Sequence, residues 1–365
     1  MRILKIGLKI LSGLGFLTLL VSYAAPFFHP DTLGILPFLG LGYPITLAGN
    51  LLLVLIWAIL RDRWFFYGLT VLLIGGTLHF RFFSTTLFSD EKGENELKVM
   101  SYNVRLFDVY NPDFELGKAT REQQFSYIRR IMPDVLCVQE YYKQDAPSRY
   151  VTVDSIFQIM GTNFYHERSA HKRKTRQNFG VAMFSKYPMI AKGDVMFDTQ
   201  SSYDYNYCIY ADIVKEQDTF RVYNVHLQSI QLQSNYYNDD PDDPMLNLTE
   251  ETGLRYIFRK LRRAFSKRAG QARRVVEHIQ TSPYPTIVCG DFNDTPLSYA
   301  YNQFNRTLID AFRNCRFGIG ATYIGKLPAG RIDYIFHSND LHSTDFEIQT
   351  EELSDHRAIY CTISK

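Results

Sequence analysis

The stretch PTIVCGDFNDTP (residues 285–296) passes from an apolar run into a polar turn. The run TIVC is almost wholly apolar, which predicts a central, buried β-strand. Asp291 and Asn293 follow it directly. An Asp-x-Asn pair after a strand is more typical of a turn than of a ligand site, but a carboxylate beside a buried strand is costly unless it is paired or binds a metal. We therefore expect a polar site where this strand ends.

Seven further β-rich runs accompany this strand, and several alternate apolar with polar residues as half-buried strands do. They are LKVMSYNV (97–104), DVLCVQE (134–140), FGVAMFSK (179–186), YCIYADIV (207–214), FRVYNVHL (220–227), IDYIFHS (332–338) and HRAIYCTI (356–363). Apolar residues recur at helical spacing over residues 118–131 and more strongly over 254–279. Strands that are only partly linked by helices favour an α/β (α+β) fold with a two-sheet core and helices outside.

Chemistry-bearing side chains lie at the ends of these runs or inside them. They are Asn103 in SYNVR, Glu140 in CVQE, His226 in YNVHLQ, Asp333 in RIDYIF, and Asp355 with His356 in LSDHR. Taken singly, each has a structural explanation, such as a strand cap, a core histidine or a surface pair. Taken together, carboxylate and amide oxygens without cysteine clusters suit Mg²⁺ or Mn²⁺ better than structural Zn²⁺. A histidine beside carboxylates suits proton transfer or the stabilisation of an oxyanion.

Seven strings follow one another in a fixed order over residues 97–363. They are MSYNVR, DVLCVQE, NFGVAMFSKYPM, NVHLQS, IVCGDFNDTP, GRIDYIF and LSDHRAIY. In order and spacing these strings resemble the endonuclease/exonuclease/phosphatase superfamily. The resemblance implies a four-layer α/β sandwich, in which two packed mixed sheets are flanked by helices. It also implies cleavage of phosphate esters with a divalent metal, Mg²⁺ or Mn²⁺.

The resemblance implies a metal site and substrate contacts. Glu140 would be the principal metal ligand, with Asn103 and Asp355 nearby. Arg105 and Asn178, which lie in the matching strings, would bind the substrate. The chain departs from the family pattern at Arg105, where nuclease branches often carry an acid, and this weakens a nuclease-type second metal contact. It also lacks the proline that many relatives have two residues after the histidine of LSDHRAIY.

The resemblance further implies catalytic roles. Asp291 would orient and deprotonate the attacking water, or share a second metal position. Asn293 would hydrogen-bond the scissile phosphate. His356 would contact the phosphate with its tautomer set by Asp333, and His226 would donate to a non-bridging oxygen as charge builds. Fixed donors of this kind supply preorganised electrostatic stabilisation in phosphoryl transfer.

The first quarter of the chain has a different composition. Residues 1–88 hold six Lys or Arg residues and two Asp residues, and they contain three apolar runs at about 10–28, 33–60 and 64–80. A helix needs about 20 apolar residues to cross the ~30 Å hydrocarbon core, with a lower limit near 17. We therefore expect about three transmembrane helices. The expected organisation is a transmembrane module (1–82), a polar tether (83–96) and a catalytic domain (97–365).

Positive charges predict how this module is oriented. Arg2, Lys5 and Lys9 precede the first run, and Arg61 and Arg63 separate the second from the third, whereas the first loop has no Lys or Arg. The positive-inside rule then puts the N-terminus and the second loop in the cytoplasm and, after an odd number of spans, the catalytic domain outside. Two alternatives stay open. The first run could be a cleaved signal peptide, and the third could be an interfacial helix, which would leave the domain in the cytoplasm.

Composition and context narrow the substrate. A net charge of only +2 argues against a nucleic-acid binder that relies on a large cationic excess. His226 resembles the sphingomyelinase-like branches, so with a membrane anchor we expect a phosphodiester substrate such as a lipid headgroup. A nuclease or nucleotide phosphatase acting on extracytoplasmic nucleic acid is the alternative, and a catalytically idle binding module is a third class. No obligate protein partner is evident.

Two basic segments bear on that choice without deciding it. The loop HKRKTR (171–176) precedes a strand, and residues 255–274 carry nine Lys or Arg residues and no acid. The structural interpretation of the second segment is a solvated helix face above a packed apolar stripe. The functional interpretations are an anionic lipid surface or a phosphate backbone. Gly270 is a candidate break in this helix.

Overall fold

A computed structural model describes residues 2–86, 93–148, 150–172, 176–197, 206–230, 250–325 and 330–365. The helices within them are α1 (Arg2–Ser22), α2 (Leu36–Leu41), α3 (Tyr43–Ile59), α4 (Trp64–Ile74), α5 (Gly76–His79), α6 (Phe114–Ile131), α7 (Thr152–Met160), α8 (Glu250–Ile279), α9 (Tyr299–Asn305) and α10 (Ala311–Cys315). The strands are β1 (Phe83–Thr85), β2 (Leu97–Asn103), β3 (Val135–Gln144), β4 (Phe164–Lys172), β5 (Gln177–Ser185), β6 (Met189–Asp194), β7 (Cys208–Lys215), β8 (Asp218–His226), β9 (Thr286–Asp291), β10 (Ile309–Asp310), β11 (Phe317–Ile319), β12 (Asp333–His337), β13 (His342–Ile348) and β14 (Ile359–Ser364).

Two six-stranded sheets form the centre of the fold. The first has the strand order β13-β14-β2-β3-β5-β4, and the second has the order β10-β12-β9-β8-β7-β6. Each sheet is mixed, because β2 runs parallel to β3 and β8 runs parallel to β9 while the other neighbours are antiparallel. Helices α6 and α7 pack on the first sheet, and α8 and α9 pack on the second. The sandwich of two mixed sheets flanked by helices is therefore confirmed.

Side chains that alternate along the strands of the second sheet contribute to two apolar cores, one on each face of the sheet. Val222 and Ile287 join the apolar cluster between the two sheets, whereas their neighbours Tyr223 and Val288 join the cluster beneath α8 and α9. All four side chains are fully buried. Successive side chains of a strand point to opposite faces, so a strand covered on both faces is apolar throughout. Each such side chain contributes about 1.5–3 kcal/mol by burial.

All eight β-rich runs of the sequence form strands, and the structure adds strands that the sequence did not indicate. The longest of the additions are β4, β6 and β13, and each lies at the edge of a sheet. Edge strands bury less of their surface, so their sequences carry polar residues and give no apolar run; FYHERSAHK in β4 is an example. Both expected helices also form, as α6 and α8, and α8 continues through Gly270 without a break.

The N-terminal module contains one helix long and apolar enough to span a membrane among the described residues. This is α1, with 21 residues. The prediction of about three spanning helices was wrong in number. The second apolar run is divided at Gly42 into the 6-residue α2 and the 17-residue α3, and the third is divided at Gly75 into the 11-residue α4 and the 4-residue α5. Glycine and the helix-initiating prolines of α2 and α3 divide runs whose hydropathy alone is continuous.

Helices α1, α3 and α4 nevertheless pack together. Phe16, Val54 and Trp57 form one small core, and the Trp57 indole donates to Ser12 Oγ at 2.8 Å. At the basic end, Lys5 pairs with Asp62 at 2.7 Å. The outer surface of the three helices is apolar and exposed. Its exposed residues include Leu14 at 60%, Leu52 at 58% and Leu73 at 71%. A surface of this kind needs a lipid or protein environment.

The opposite end of the module packs directly on the catalytic domain. Leu297 of the catalytic domain is fully buried in a cluster with Leu19, Tyr23 and Tyr43 of the module. Residues 83–85, the beginning of the expected tether, form β1 and pair with β11. The described part of the tether is thus partly a strand, and residues 87–92 of it lie outside the described chain.

Candidate active site

The expected site residues meet because strand ends meet. In the second sheet, Asp291 at the end of β9 lies opposite His226 at the end of the parallel β8. It also lies opposite Asp333 at the start of the antiparallel β12. In the first sheet, Asn103 ends β2 beside Gln139 of β3. Because both parallel pairs end at the same edge of the sandwich, side chains from the two sheets face one another there.

Asp291 is the centre of the cluster. Its Oδ2 accepts from Asn103 Nδ2 at 3.0 Å, and its Oδ1 accepts from the backbone N of Asn293 at 2.8 Å. The Nε2 atoms of His226 and His356 each lie 3.7 Å from Oδ2. The carboxylate is only 1% exposed, and this burial raises its pKa, with the two histidines opposing the rise. Burial therefore makes this carboxylate more basic than one in water, while the donors around it orient it and limit that rise.

His356 and Asp333 form a buried pair. His356 Nδ1 lies 3.0 Å from Asp333 Oδ2 and 3.1 Å from Oδ1. Burial lowers the pKa of His356, but the charges of Asp333 and Asp291 outweigh it and hold the pKa well above its usual range. These two carboxylates therefore favour the protonated imidazole, with Nδ1 on Asp333 and Nε2 3.7 Å from Asp291 Oδ2.

Glu140 enters the site through a strained backbone. It lies at the bulge between Val138 and Tyr141 in the pairing of β3 with β5, and its φ is 46°. Left-handed backbone at a non-glycine residue is costly and is concentrated at functional sites. Burial raises the pKa of Glu140 to about 7, and the neighbouring Asp355 and Asp291 add to the rise. Three acidic side chains thus lie close enough for two of them to raise the pKa of the third.

A glycine makes the approach of two strands possible beside Asp291. Gly290 has a φ of 154°, and a Cβ there would lie 1.9 Å from the carbonyl oxygen of Val225. No other residue type fits at that position without separating β8 from β9. Gly290 therefore fixes the distance between His226 and Asp291 through the backbone rather than through a side chain.

Polar side chains between the sheets hold the two halves of the site in register. Gln139 Nε2 donates to Asn224 Oδ1 at 2.7 Å, which joins the first sheet to the second. Asn224 Nδ2 in turn donates to the carbonyl oxygens of Val138 and Ala182 at 3.0 and 2.8 Å. Both amides are fully buried, and a fully paired buried amide network favours one arrangement of the sheets over its alternatives.

Eight of the ten expected site residues are therefore joined in one cluster, whereas the side chains of the other two contact residues outside it. The side chain of Arg105 is 54% exposed and lies 4.0 Å from Asp108, while its backbone N donates to Asn103 Oδ1 at 3.1 Å. Asn178 Nδ2 donates to Asp145 Oδ1 at 3.1 Å at the β3–β5 pair, away from Asp291. The roles of both in substrate binding stay predictions. Residues 173–175 of the basic loop HKRKTR (171–176) lie outside the described residues.

Sequence reasoning missed three contributors. The ring of Tyr323 packs edge-on against His356 at 5.1 Å, and burial with nearby carboxylates raises its pKa. Ser354 Oγ donates to the backbone O of Asn103 at 2.9 Å. Arg268 is buried and pairs with Asp294 at 3.0 Å, directly after the Asn293 turn. Tyr323 and Ser354 lie in loops without periodicity, but Arg268 falls on the apolar face of α8, four residues before the buried Ala272, and this spacing is visible in the sequence.

The donor chemistry of Glu140, Asn103 and Asp355 fits a hard divalent cation. A cation would relieve the repulsion that raises the pKa of Glu140, and carboxylate and amide oxygens are the ligands that Mg²⁺ accepts. Asp291, Asp333 and His356 form a second group whose ligand atoms all lie within 4.8 Å of one another. A protonated imidazole offers no lone pair, so this second group is better suited to holding and moving a proton.

Comparison with known proteins agrees with this architecture. A structure of an endonuclease/exonuclease/phosphatase family protein from Leptotrichia buccalis has a TM-score of 0.50 at 16% identity and covers 74% of this chain and 100% of its own. A family protein from Bacteroides thetaiotaomicron has a TM-score of 0.50 at 16% identity, covering 74% and 96%. A conserved protein of unknown function from Enterococcus faecalis has a TM-score of 0.51 at 16% identity, covering 73% and 99%. At 16% sequence identity, this structural similarity shows a shared fold and nothing more.

Sequence comparison extends this to the family. No curated protein matches the chain. A model of a domain of unknown function matches residues 4–82, in the N-terminal module. The model of the Endonuclease/Exonuclease/phosphatase family matches residues 100–356, which include every residue of the Asp291 cluster. The chain therefore belongs to the Endonuclease/Exonuclease/phosphatase family.

Proposed function

We propose that the chain is a membrane-anchored, divalent-metal-dependent phosphodiesterase that hydrolyses the headgroup ester of a lipid by in-line attack of water. Members of the family typically hydrolyse phosphoester bonds. The observation that carries the proposal is the set of donors around Asp291, with Asn103 and Asn293 hydrogen-bonded to it and two histidines 3.7 Å away. This arrangement leaves one oriented base beside fixed positive and polar groups.

Glu140, Asn103 and Asp355 would hold the metal, with Mg²⁺ as the first candidate and Mn²⁺ as the second. When bound, such a metal supplies Lewis-acid stabilisation of a phosphate oxygen. The strained backbone at Glu140 supports this role, because it directs the carboxylate into the site at a cost that packing alone does not require. In this arrangement Asn103 serves twice, since its Nδ2 also holds Asp291.

Asp291 takes the proton of the attacking water in this proposal. Burial raises the pKa of Asp291, and a base whose pKa is nearer to the working pH is more effective. Asn293 keeps the carboxylate in one orientation through its backbone N. His356, held as a cation by Asp333, and His226 supply donors to the phosphoryl oxygens as negative charge develops.

The N-terminal module supports membrane anchoring. Helix α1 has 21 residues and is about 31 Å long, which matches the ~30 Å hydrocarbon core. Its basic end carries Lys5, whereas the catalytic domain packs at the other end through Leu297. By the positive-inside rule the basic end is cytoplasmic, so the catalytic domain is extracytoplasmic. Helices α3 and α4 accompany α1 as a shorter apolar hairpin.

The contact between the N-terminal module and the site supports a lipid substrate. Leu297, four residues after Asn293, is buried among α1 and α3 side chains, so the catalytic turn lies beside the membrane-inserted part. A lipid headgroup has the shortest path to such a site. A second candidate is an extracytoplasmic nuclease or nucleotide phosphatase, because the basic side chains of α8 could also contact the phosphates of a nucleic acid.

The test uses the full chain reconstituted into vesicles. We would measure headgroup release from sphingomyelin and phosphatidylcholine, and nicking of supercoiled plasmid, each with Mg²⁺ and with a chelator. Headgroup release without nicking is expected, and Asp291→Asn and Glu140→Gln should each lower it by at least about 100-fold. Glu122→Gln, an exposed carboxylate on α6, is the matched control. Nicking without headgroup release would establish the nuclease, and unchanged turnover in both site variants would refute the site assignment.

A further inference from the structure

Helix α8 carries a dense positive charge over most of its length. No Asp or Glu occurs between Gly253 and Val276, while nine Lys or Arg residues do. Three of these side chains, Arg259, Arg262 and Arg263, are exposed and lie within about one turn of the helix. No acidic side chain of the described chain lies within ion-pair distance of those three. Their charge therefore acts on whatever faces this side of the molecule.

The same part of α8 rests on the segment that follows α1. The ring of Phe38 stacks on Phe258 with centroids 4.2 Å apart and meets Phe265 edge-on at 5.3 Å. Ser266 Oγ donates to Asp31 Oδ2 at 2.9 Å. This segment begins only a few residues after the end of the membrane-length helix, so the basic part of α8 lies where α1 would leave the hydrocarbon core.

Exposed apolar side chains surround this contact. On the segment between α1 and α2, Phe27 is 56% exposed, Phe28 45%, Leu33 47% and Ile35 55%. On α8 itself, Ile257 and Phe258 are 37% and 46% exposed. Apolar and aromatic residues beside Lys and Arg are typical of segments that lie in the membrane interface.

We propose that the basic face of α8, formed by Arg259, Arg262 and Arg263, binds the anionic phospholipid surface of the bilayer that holds α1. This inference rests on the membrane anchoring proposed above. A basic side chain close to an anionic leaflet is attracted within about one Debye length, which is about 8 Å at physiological salt. Because α8 is docked on the α1–α2 segment, its charges are held at that level without a separate binding step.

A nucleic-acid backbone fits this surface less well. Arg262 lies beside Gly34, and the exposed Leu33 and Ile35 on either side of that glycine offer a phosphate nothing to bond. A phospholipid leaflet offers phosphate to the arginines and acyl chains to the apolar residues at the same time. The geometry of charge beside exposed apolar side chains therefore favours the leaflet.

The test measures lipid selectivity of the full chain. The protein is reconstituted in phosphatidylcholine vesicles with spin-labelled phosphatidylglycerol or spin-labelled phosphatidylcholine as the probe. The motionally restricted fraction in electron paramagnetic resonance gives the relative association constant of the two lipids. The test variant combines Arg259→Glu, Arg262→Glu and Arg263→Glu, a second variant carries Gln at the same positions, and the control combines Lys118→Glu, Arg129→Glu and Arg130→Glu on α6, across the sandwich.

Selectivity for phosphatidylglycerol should fall at least about threefold in the Glu variant, by less in the Gln variant and not at all in the α6 control. High salt should reduce the selectivity of the unmodified chain in the same direction. Turnover of a soluble synthetic phosphodiester should persist in all variants, which shows that they are folded. Unchanged selectivity in a folded Glu variant would overturn the inference while leaving the proposed function intact.

Two further outcomes separate this inference from the function it rests on. If the chain washes out of the vesicles with alkaline carbonate, the membrane anchoring fails, and this inference fails with it. If the Glu variant keeps its lipid selectivity but loses affinity for a short labelled DNA duplex, measured by fluorescence anisotropy, α8 binds nucleic acid instead.

Discussion

Replacing Arg268 by methionine would test whether α8 holds the catalytic turns in place. Arg268 is 1% exposed, its Nε lies 3.0 Å from Asp294 Oδ2, and one terminal guanidinium nitrogen donates to the carbonyl oxygen of Gln228 at 2.9 Å. Asp294 follows Asn293, and Gln228 lies two residues after His226. One side chain therefore connects the turns that carry two of the proposed catalytic groups, and methionine keeps its bulk without its donors.

The magnitude follows from the charge that is left behind. In Arg268→Met the carboxylate of Asp294, which is 6% exposed, loses its buried partner. Removing one member of a buried ion pair costs about 3–5 kcal/mol, a large part of a typical total of about 5–15 kcal/mol. The double variant Arg268→Met with Asp294→Asn should recover most of this loss, because the amide oxygen can still accept from the backbone N of Thr295.

The stability that Arg268→Met loses should depend on pH. Burial raises the pKa of Asp294, and Arg268 opposes that rise. Without the arginine the pKa in the folded state rises further above that in the unfolded chain. The folded variant is then favoured by protonation, so its stability is lost as pH rises through the folded pKa and regained as pH falls below it. The loss of unfolding free energy caused by Arg268→Met should therefore be smaller at about pH 5 than at about pH 8.

The assay is urea unfolding of the full chain in detergent at both pH values, with Arg263→Met as an exposed control on the same helix. The control should change the free energy of unfolding by no more than about 0.5 kcal/mol. In Arg268→Met, kcat for a soluble phosphodiester should also fall, by about 10²-fold if the two turns shift by about 1 Å. A deficit below about 1 kcal/mol, or one that is the same at both pH values, would refute the reasoning.

Three further predictions concern the site itself. Glu140→Gln should abolish Mg²⁺ binding measured by calorimetry. In the unmodified chain the Mg²⁺ affinity should weaken as pH falls below about 7, where Glu140 takes up a proton. An affinity that stays constant from about pH 6 to 8 would contradict this prediction. Asp333→Asn should lower kcat by about 10²-fold with little change in KM, because His356 loses the charge that keeps it protonated. If kcat falls by the same factor at every pH, the variant is misfolded and this explanation is wrong. Gly290→Ala should destabilise the fold by more than about 3 kcal/mol in thermal unfolding, since its Cβ would meet the Val225 carbonyl, and a stable variant would show that β8 and β9 can separate.

The sequence predicted which side chains would lie together because most of them stand at the ends of predicted strands. Asp291 follows TIVC, and Asn103 and His226 end strands with alternating residues, so pattern and chemistry coincide at each position. What the pattern could not supply is direction. Asn178 lies on a correctly predicted strand, yet its amide bonds Asp145, and only the pairing of β5 with β3 determines which way it faces. Glu140 likewise depends on a bulge that no periodicity reveals.

The helix at 250–279 illustrates a different limit. Nine basic residues over 255–274 suggested a uniformly solvated or ligand-binding face, but the structure divides them. Arg259, Arg262 and Arg263 are exposed, whereas Arg268 is buried against Asp294. The apolar stripe of the helix already contained that distinction, because position 268 lies three residues after the buried Phe265 and four before the buried Ala272. Basic residues on a helix therefore have to be sorted by helix face before the buried ones can be told from the exposed ones.

The division into module, tether and catalytic domain also understates how the parts are joined. Arg331 lies two residues before Asp333, and its guanidinium donates to Asp310 and to the backbone oxygen of Arg81, each at 2.7 Å. Arg81 belongs to the end of the N-terminal module, so that module supplies an acceptor to a buried guanidinium beside the catalytic pair. A buried donor left without its acceptor costs about 1–3 kcal/mol. The N-terminal module thus supports the residues beside the proposed active site, and the module and the two-sheet domain pack as one structural unit.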